Sequence, residues 1–176
     1  MGSFLLTVNI ANSSAQDLRL EITVPKTTIS RQEPVNLTVR LVNTSSRAYY
    51  VSGDIAVGSA GFRHQFGSYG LEIRKRGAPG FVNPPRTFAD PIGAKRNLSV
   101  AEFLVSNQLV LLEEGMFVGR RISSNWEGLT LQEPGHYSIR VTYSSSGDES
   151  LIPKELRFPI FRSAMTSNVI DLEIQP

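Results

Sequence analysis

From Leu18 to Val24 apolar residues fall at every second position, with Arg19, Glu21 and Thr23 between them. The same rhythm returns at Val35, Leu37, Val39 and Leu41, set against Asn36, Thr38, Arg40 and Val42. It returns again at Tyr137, Ile139, Val141 and Tyr143, interleaved with His136, Ser138, Arg140 and Thr142. Side chains of an extended chain point alternately to opposite faces, so a period of two with one apolar set describes a half-buried strand. These runs predict antiparallel sheets, each with one face in a core.

The breaks between runs predict the connections. Pro25 has no N–H to donate and ends the first strand, leaving Thr27–Ser30 to resume pairing elsewhere. Polar Ser30–Glu33 joins the first two amphipathic strands, which are expected to pair antiparallel. Asn43–Ser46 is a turn. Arg47–Val57, rich in Tyr and Val, is expected as a third strand, bent or bulged at Gly53-Asp54. Tyr69–Arg74 is a further strand. Ser99 and Glu102 have capping-box spacing, so Asn97–Asn107 admits either a short helix or an irregular strand. Gln108–Leu112 and Met116–Ile122, around Glu113-Glu114-Gly115, predict a hairpin. Leu151–Phe161 holds Pro153 and Pro159 and is confined to a sheet edge. Thr166–Gln175, with Ile170, Leu172 and Ile174 opposite Asp171 and Glu173, closes the chain as one strand. About eight to ten strands and no long helix define an all-β class, an antiparallel β-sandwich.

One stretch has no period. Gly77–Arg96 contains Pro79, Pro84, Pro85 and Pro91 together with Gly77, Gly80 and Gly93. Proline at that density excludes both a helix interior and a central strand. A long proline-rich loop inside a compact domain is a place to look for function.

The third alternating run is launched from Leu131-Gln132-Glu133-Pro134-Gly135-His136-Tyr137. Proline pre-sets φ for a tight corner, and Gly135 accepts the positive φ that a type II turn requires. Pro134, Gly135 and Tyr137 resemble the E–F corner of immunoglobulin-like and fibronectin-III-like domains. The resemblance implies that the Tyr137 hydroxyl bonds backbone a few residues upstream. Ile139 stands where antibody domains carry a cysteine, and Trp126 lies before the corner, so the disulfide-bonded immunoglobulin type is excluded. The pattern is similar to bacterial extracytoplasmic sandwich modules, whose final strand opens like Ser167-Asn168-Val169. The Bacillus intracellular proteinase inhibitor and the accessory sandwich domains of secreted peptidases and glycosidases share it. The resemblance implies an immunoglobulin-like fold and a secreted or periplasmic location, and it transfers no functional residue.

Composition then narrows the chemistry. A chain of 176 residues accommodates one sandwich domain, residues 16–176. Residues 1–15 are expected to be a leader or the remnant of an export signal. Phe4–Ala11 is apolar and Ser13-Ser14-Ala15-Gln16 resembles a cleavage site, yet Met1-Gly2-Ser3 carries no Lys or Arg. No apolar run approaches the roughly 18 residues of a membrane span. Lys plus Arg number 18 against 16 Asp plus Glu, a balance without the clustered basic face that nucleic acid requires. The absence of cysteine removes disulfides, thiolate nucleophiles and Cys-ligated zinc. His64 and His136 stand alone, without His-Glu-x-x-His, and are expected to be solvated. No Gly-x-Ser-x-Gly elbow or phosphate loop occurs, and Asp148-Glu149 lacks the spacing of a calcium loop. No catalytic residue, metal or cofactor is expected.

The candidate contact residues are Phe81, Arg86 and Phe88 in the proline-rich loop, with Arg74, Lys75 and Arg76 at its root. Lys95-Arg96 and Arg120-Arg121 would join them in an anionic-partner patch if the fold brought them together. Tyr49, Tyr50, Phe62, Phe66 and Tyr69 either fill the core or line a rim that stacks on sugars. Sequons at Asn12, Asn36, Asn43 and Asn97 matter only in a eukaryotic secretory pathway. The expected function is a non-catalytic exported module acting through an unknown protein partner. The alternatives are a peptidase inhibitor that inserts the 77–96 loop into a cleft, and a carbohydrate-binding module. The corner itself is testable: Tyr137→Phe should lower the unfolding free energy in urea by about 1 kcal/mol, the net worth of one hydrogen bond.

Overall fold

A computed structural model describes residues 17–53, 67–82, 99–106, 108–123, 133–145 and 152–176. Residues 1–16 and 83–98, which include the expected leader and most of the proline-rich loop, lie outside the described residues. The described strands are β1 (Leu18–Thr23), β2 (Thr28–Ser30), β3 (Asn36–Asn43), β4 (Tyr49–Ser52), β5 (Ser68–Lys75), β6 (Leu109–Leu112), β7 (Phe117–Ser123), β8 (Gly135–Ser144), β9 (Ala164–Thr166) and β10 (Ile170–Gln175). One helix, α1 (Val100–Ser106), precedes β6.

Among the described residues two larger sheets and a two-stranded sheet, β4-β6, share a core. The first has the order β1-β3-β7, antiparallel throughout. The second has the order β2-β10-β8-β5, with β9 also on β8. Leu18, Leu20 and Ile22 from β1, with Leu37, Val39 and Leu41 from β3, meet Leu71, Ile139, Val141, Leu172 and Ile174 of the second sheet in one buried cluster. Each such side chain contributes about 1.5–3 kcal/mol by leaving water. The alternation thus gives an all-β, immunoglobulin-like sandwich.

Pro25 divides the opening strand as its chemistry requires. β1 pairs with β3 in one sheet, and β2 pairs in parallel with β10 in the other, Ile29 opposite Ile174. The outer edge of β1 is capped by a side chain. The Ile22 N–H donates to Asn168 Oδ1 at 2.8 Å, and Asn168 Nδ2 donates to the Ile22 carbonyl at 3.0 Å. A primary amide carries one acceptor and two donors, so it imitates a neighbouring strand here.

That bond breaks up the expected final strand. Thr166–Gln175 is two strands, because 167–169 leaves the ladder. Ser167 holds the gap: its N–H donates to the Val141 carbonyl at 2.8 Å, and its Oγ accepts from the Val141 N–H at 2.9 Å. β8 is therefore paired to β10 at one end, to β9 at the other and to Ser167 between.

The expected hairpin over Gln108–Ile122 is also different. The turn forms, with the Met116 N–H donating to the Glu113 carbonyl at 3.0 Å and Gly115 at φ +74°. Its two arms pair with different partners, β6 with β4 and β7 with β3. Asn43 separates them. Its backbone N–H donates to Met116 and its carbonyl accepts from Gly115. Its Nδ2 donates to the Leu112 carbonyl at 2.9 Å and to the Arg47 carbonyl at 2.6 Å, and its Oδ1 accepts from the Ser45 N–H.

Ser99 and Glu102 form their capping box, which selects the helical alternative. The Ser99 N–H donates to Glu102 Oε2 at 2.9 Å, and the Glu102 N–H donates to Ser99 Oγ at 3.4 Å. Phe103 of α1 packs with Leu109 and Ile160 in a small second cluster. The Pro153–Pro159 segment runs as edge irregular chain, and its end pairs with β4: the Tyr50 N–H donates to the Pro159 carbonyl at 2.9 Å.

An aromatic group closes one end of the main core. Tyr69 lies 5.0 Å from Tyr143, and Phe161 lies 5.5 Å from Tyr49, edge to face. A Cβ on Gly67 would fall 2.8 Å from the Tyr143 hydroxyl, so only glycine admits this ring. Burial pushes the Tyr143 hydroxyl up to about 12, against a smaller opposing pull from Ser145 and the Ser52 backbone.

Two outcomes are expected. Asn43→Ala should cost about 2–3 kcal/mol in urea denaturation, because it removes the side-chain donor shared by the Leu112 and Arg47 carbonyls and the acceptor of the Ser45 N–H; Asn36→Ala, on an exposed position, should stay within about 0.5 kcal/mol. Tyr143 keeps its proton in the fold after the unfolded chain has ionised, so stability falls as pH rises from about 10 to about 12. At one factor of ten per pH unit this group removes about 3 kcal/mol across that window, and alkaline titration of Tyr143→Phe should show a correspondingly shallower decline.

Candidate functional site

The face of the second sheet turned away from the core carries Glu72 and Arg74 from β5, His136, Ser138 and Arg140 from β8, and Asp171 and Glu173 from β10. Strand register sets them in rows. Glu72 faces Arg140, Arg74 faces Ser138, Ser138 faces Asp171, and His136 faces Glu173. The Arg140 Nε–Glu72 Oε2 ion pair is 2.6 Å long and partly buried. The Ser138 hydroxyl donates to Asp171 Oδ1 at 2.8 Å.

The chain leaving β5 folds back over this face. The Ala78 N–H donates to the Lys75 carbonyl at 2.9 Å, and Gly77 takes φ +89°, a value that only glycine adopts freely. Ile73 and Val82 then exchange two backbone bonds, at 3.0 and 2.8 Å. This return places the Phe81 ring 4.0 Å from the Arg140 guanidinium and 4.8 Å from that of Arg74. A guanidinium over an aromatic face is worth about 0.5–2 kcal/mol. Phe81 is half-buried between the two cations.

Beside this ring lies a cleft of about 440 Å³, lined by Arg74, Arg76, His136, Ser138 and Asp171 among others. The Arg76 N–H donates to the His136 carbonyl at 2.8 Å, which fixes the backbone of Arg76 at the mouth.

The structure treats the sequence candidates unequally. Arg74, Arg76 and Phe81 share this face. Lys75 points with the core-facing residues of β5 and reaches the corner instead. Its Nζ lies 2.6 Å from Glu133 Oε2 and 6.0 Å from the centre of the Tyr137 ring. The hydrogen bond with Glu133 raises the Lys75 ammonium above its ordinary range and lowers the Glu133 carboxyl below its own. Glu133 also supplies the carbonyl that accepts from the Tyr137 hydroxyl at 2.9 Å. Gly135 has φ +147°, positive but beyond the value of a type II turn. Arg86, Phe88, Lys95 and Arg96 lie outside the described residues, as do Phe62, Phe66 and His64.

Arg120 and Arg121 lie on β7 of the other sheet, so they do not join Arg74 and Arg76. Tyr49 and Tyr69 are core residues, and Tyr50 is half-buried edge-on to Phe158 at 6.3 Å. Asn43 is 1% exposed and its amide is engaged in the fold, whereas Asn36 is exposed. Reading the sequence missed Glu72, Ser138, Arg140 and Asp171 as members of this face. Their outward parity was visible; their partners across the sheet were not.

Among the described residues no group of three His, Asp or Glu side chains is placed to hold a metal ion, and no helix is long and apolar enough to cross a membrane. No protein-family model and no curated protein matches the chain. Among solved structures the chain is similar to the CARDB domain of a Pyrococcus furiosus protein, determined in solution by NMR. The two are 13% identical, with a TM-score of 0.38 over 90% of this chain and 94% of that one.

Proposed function

We propose that the chain is a non-catalytic module of an exported bacterial protein, and that it binds a protein partner through the outer face of its second sheet. One observation carries this: Phe81 is clamped between the guanidiniums of Arg74 and Arg140 at the root of the proline-rich stretch. Aromatic and arginine side chains supply most of the energy at protein interfaces. Here both kinds are ordered before any partner arrives, since Arg140 is tethered by Glu72 and Phe81 by the Ile73–Val82 backbone pair. Affinity then loses less to immobilising side chains on association. Arg86 and Phe88, outside the described residues, are contact candidates on the strength of the sequence alone. A sugar platform has less support, because Tyr49 and Tyr69 are spent in the core.

The full chain, used as bait in extracts of its own source, provides the test. Phe81→Ala should weaken retention of the recovered protein about tenfold, or about 1.4 kcal/mol, with the fold retained and the melting temperature lowered by only a few degrees. Arg121→Gln on the opposite sheet should leave retention unchanged. Equal retention by the wild-type chain and Phe81→Ala would overturn the assignment.

A further inference from the structure

We infer that the cleft beside Phe81 takes a carboxylate of the partner, from an Asp or Glu side chain or a chain terminus, and that Arg74 and Arg76 hold it. The inference rests on the protein-binding reading above and names the group that reading leaves open.

Charge on this side of the sheet is unevenly matched. Glu72 is taken by Arg140 at 2.6 Å, and Glu133 by Lys75 at 2.6 Å. Asp171 accepts from the Ser138 hydroxyl. Arg74 has the Phe81 ring, and among the described residues neither Arg74 nor Arg76 has a carboxylate. Both line the same cleft. Two guanidiniums open into one concavity whose lining holds a single carboxylate, Asp171, so the cleft carries an excess of positive charge.

The stacking also orients one of them. A guanidinium laid on an aromatic face keeps its edge N–H groups free, and that edge is the fork that matches two carboxylate oxygens. Asp171 sets the choice of anion. It lies two strands from Arg74, with Ser138 between, roughly 10 Å at ordinary strand spacing. Its charge opposes a phosphate dianion more strongly than a carboxylate monoanion. The same carboxylate at the far wall offers an acceptor to a donor group on the partner, such as a backbone N–H.

The test is a titration of the isotope-labelled full chain, followed by amide and arginine side-chain NMR signals. The probes are acetyl-Glu-Glu-Glu-amide, its Gln analogue and inorganic phosphate. The acidic peptide should shift signals of Arg74, Arg76, His136 and Ser138, and the Gln peptide should not. Arg74→Gln with Arg76→Gln should weaken the acidic peptide about tenfold, and Asp171→Asn should tighten it about threefold. All three positions are on the surface, so folding is retained. The inference is overturned by an unperturbed cleft at about 10 mM peptide, by unaltered binding in the arginine variants, or by phosphate that binds more tightly than the peptide. Peptide binding combined with partner retention insensitive to Phe81→Ala would sink the protein-contact reading and leave the carboxylate site standing. Retention sensitive to Phe81→Ala but not to Arg76→Gln would do the reverse.

Discussion

A buried strand must satisfy the N–H and C=O groups on both of its edges, and β8 is the strand on which this demand falls hardest. β5 covers one edge from Ser68 to Lys75. The other edge is shared by β10, Ser167 and β9. The rest of the architecture follows from that division. The final segment must break at 167–169 so that Ser167 can serve Val141. The break frees Asn168 to reach β1. Continuous pairing with β5 fixes the register that puts Glu72 against Arg140 and Arg74 against Ser138. The outer face is thus a by-product of how the inner one is hydrogen-bonded.

Local chemistry was legible in the sequence. Alternation found the strands, because a single buried face imposes a period of two. Pro25 located the change of sheet, and the Ser99–Glu102 spacing offered the helix as one of two alternatives. Long-range pairing was not legible. The 108–122 hairpin failed because the side chain of Asn43 holds the Leu112 carbonyl from 69 residues away, and no local signal encodes that bond. The closing strand was split for the same kind of reason.

The candidate site divides along the same line. Arg74 and Phe81 are seven residues apart across a Gly-Ala-Pro-Gly return, so their meeting is written locally. Arg140 and Asp171 enter through register, which depends on the choice of neighbours for β8. Of the two roles open to Tyr69, parity with Leu71 and Ile73, the apolar set of its strand, selects the core. Lys75 shares that parity too, which is why it turns away from Arg74 and Arg76 and serves the corner instead.

The Asn168 clasp on Ile22 spans 146 residues. A chain emerging from a ribosome presents β1 long before Asn168. Until then the outer rim of the first strand has no side-chain amide to cover it, and β2 has no β10 to lie against. Closure of this domain consequently waits for residues 168–175, whatever the order in which its other strands are made.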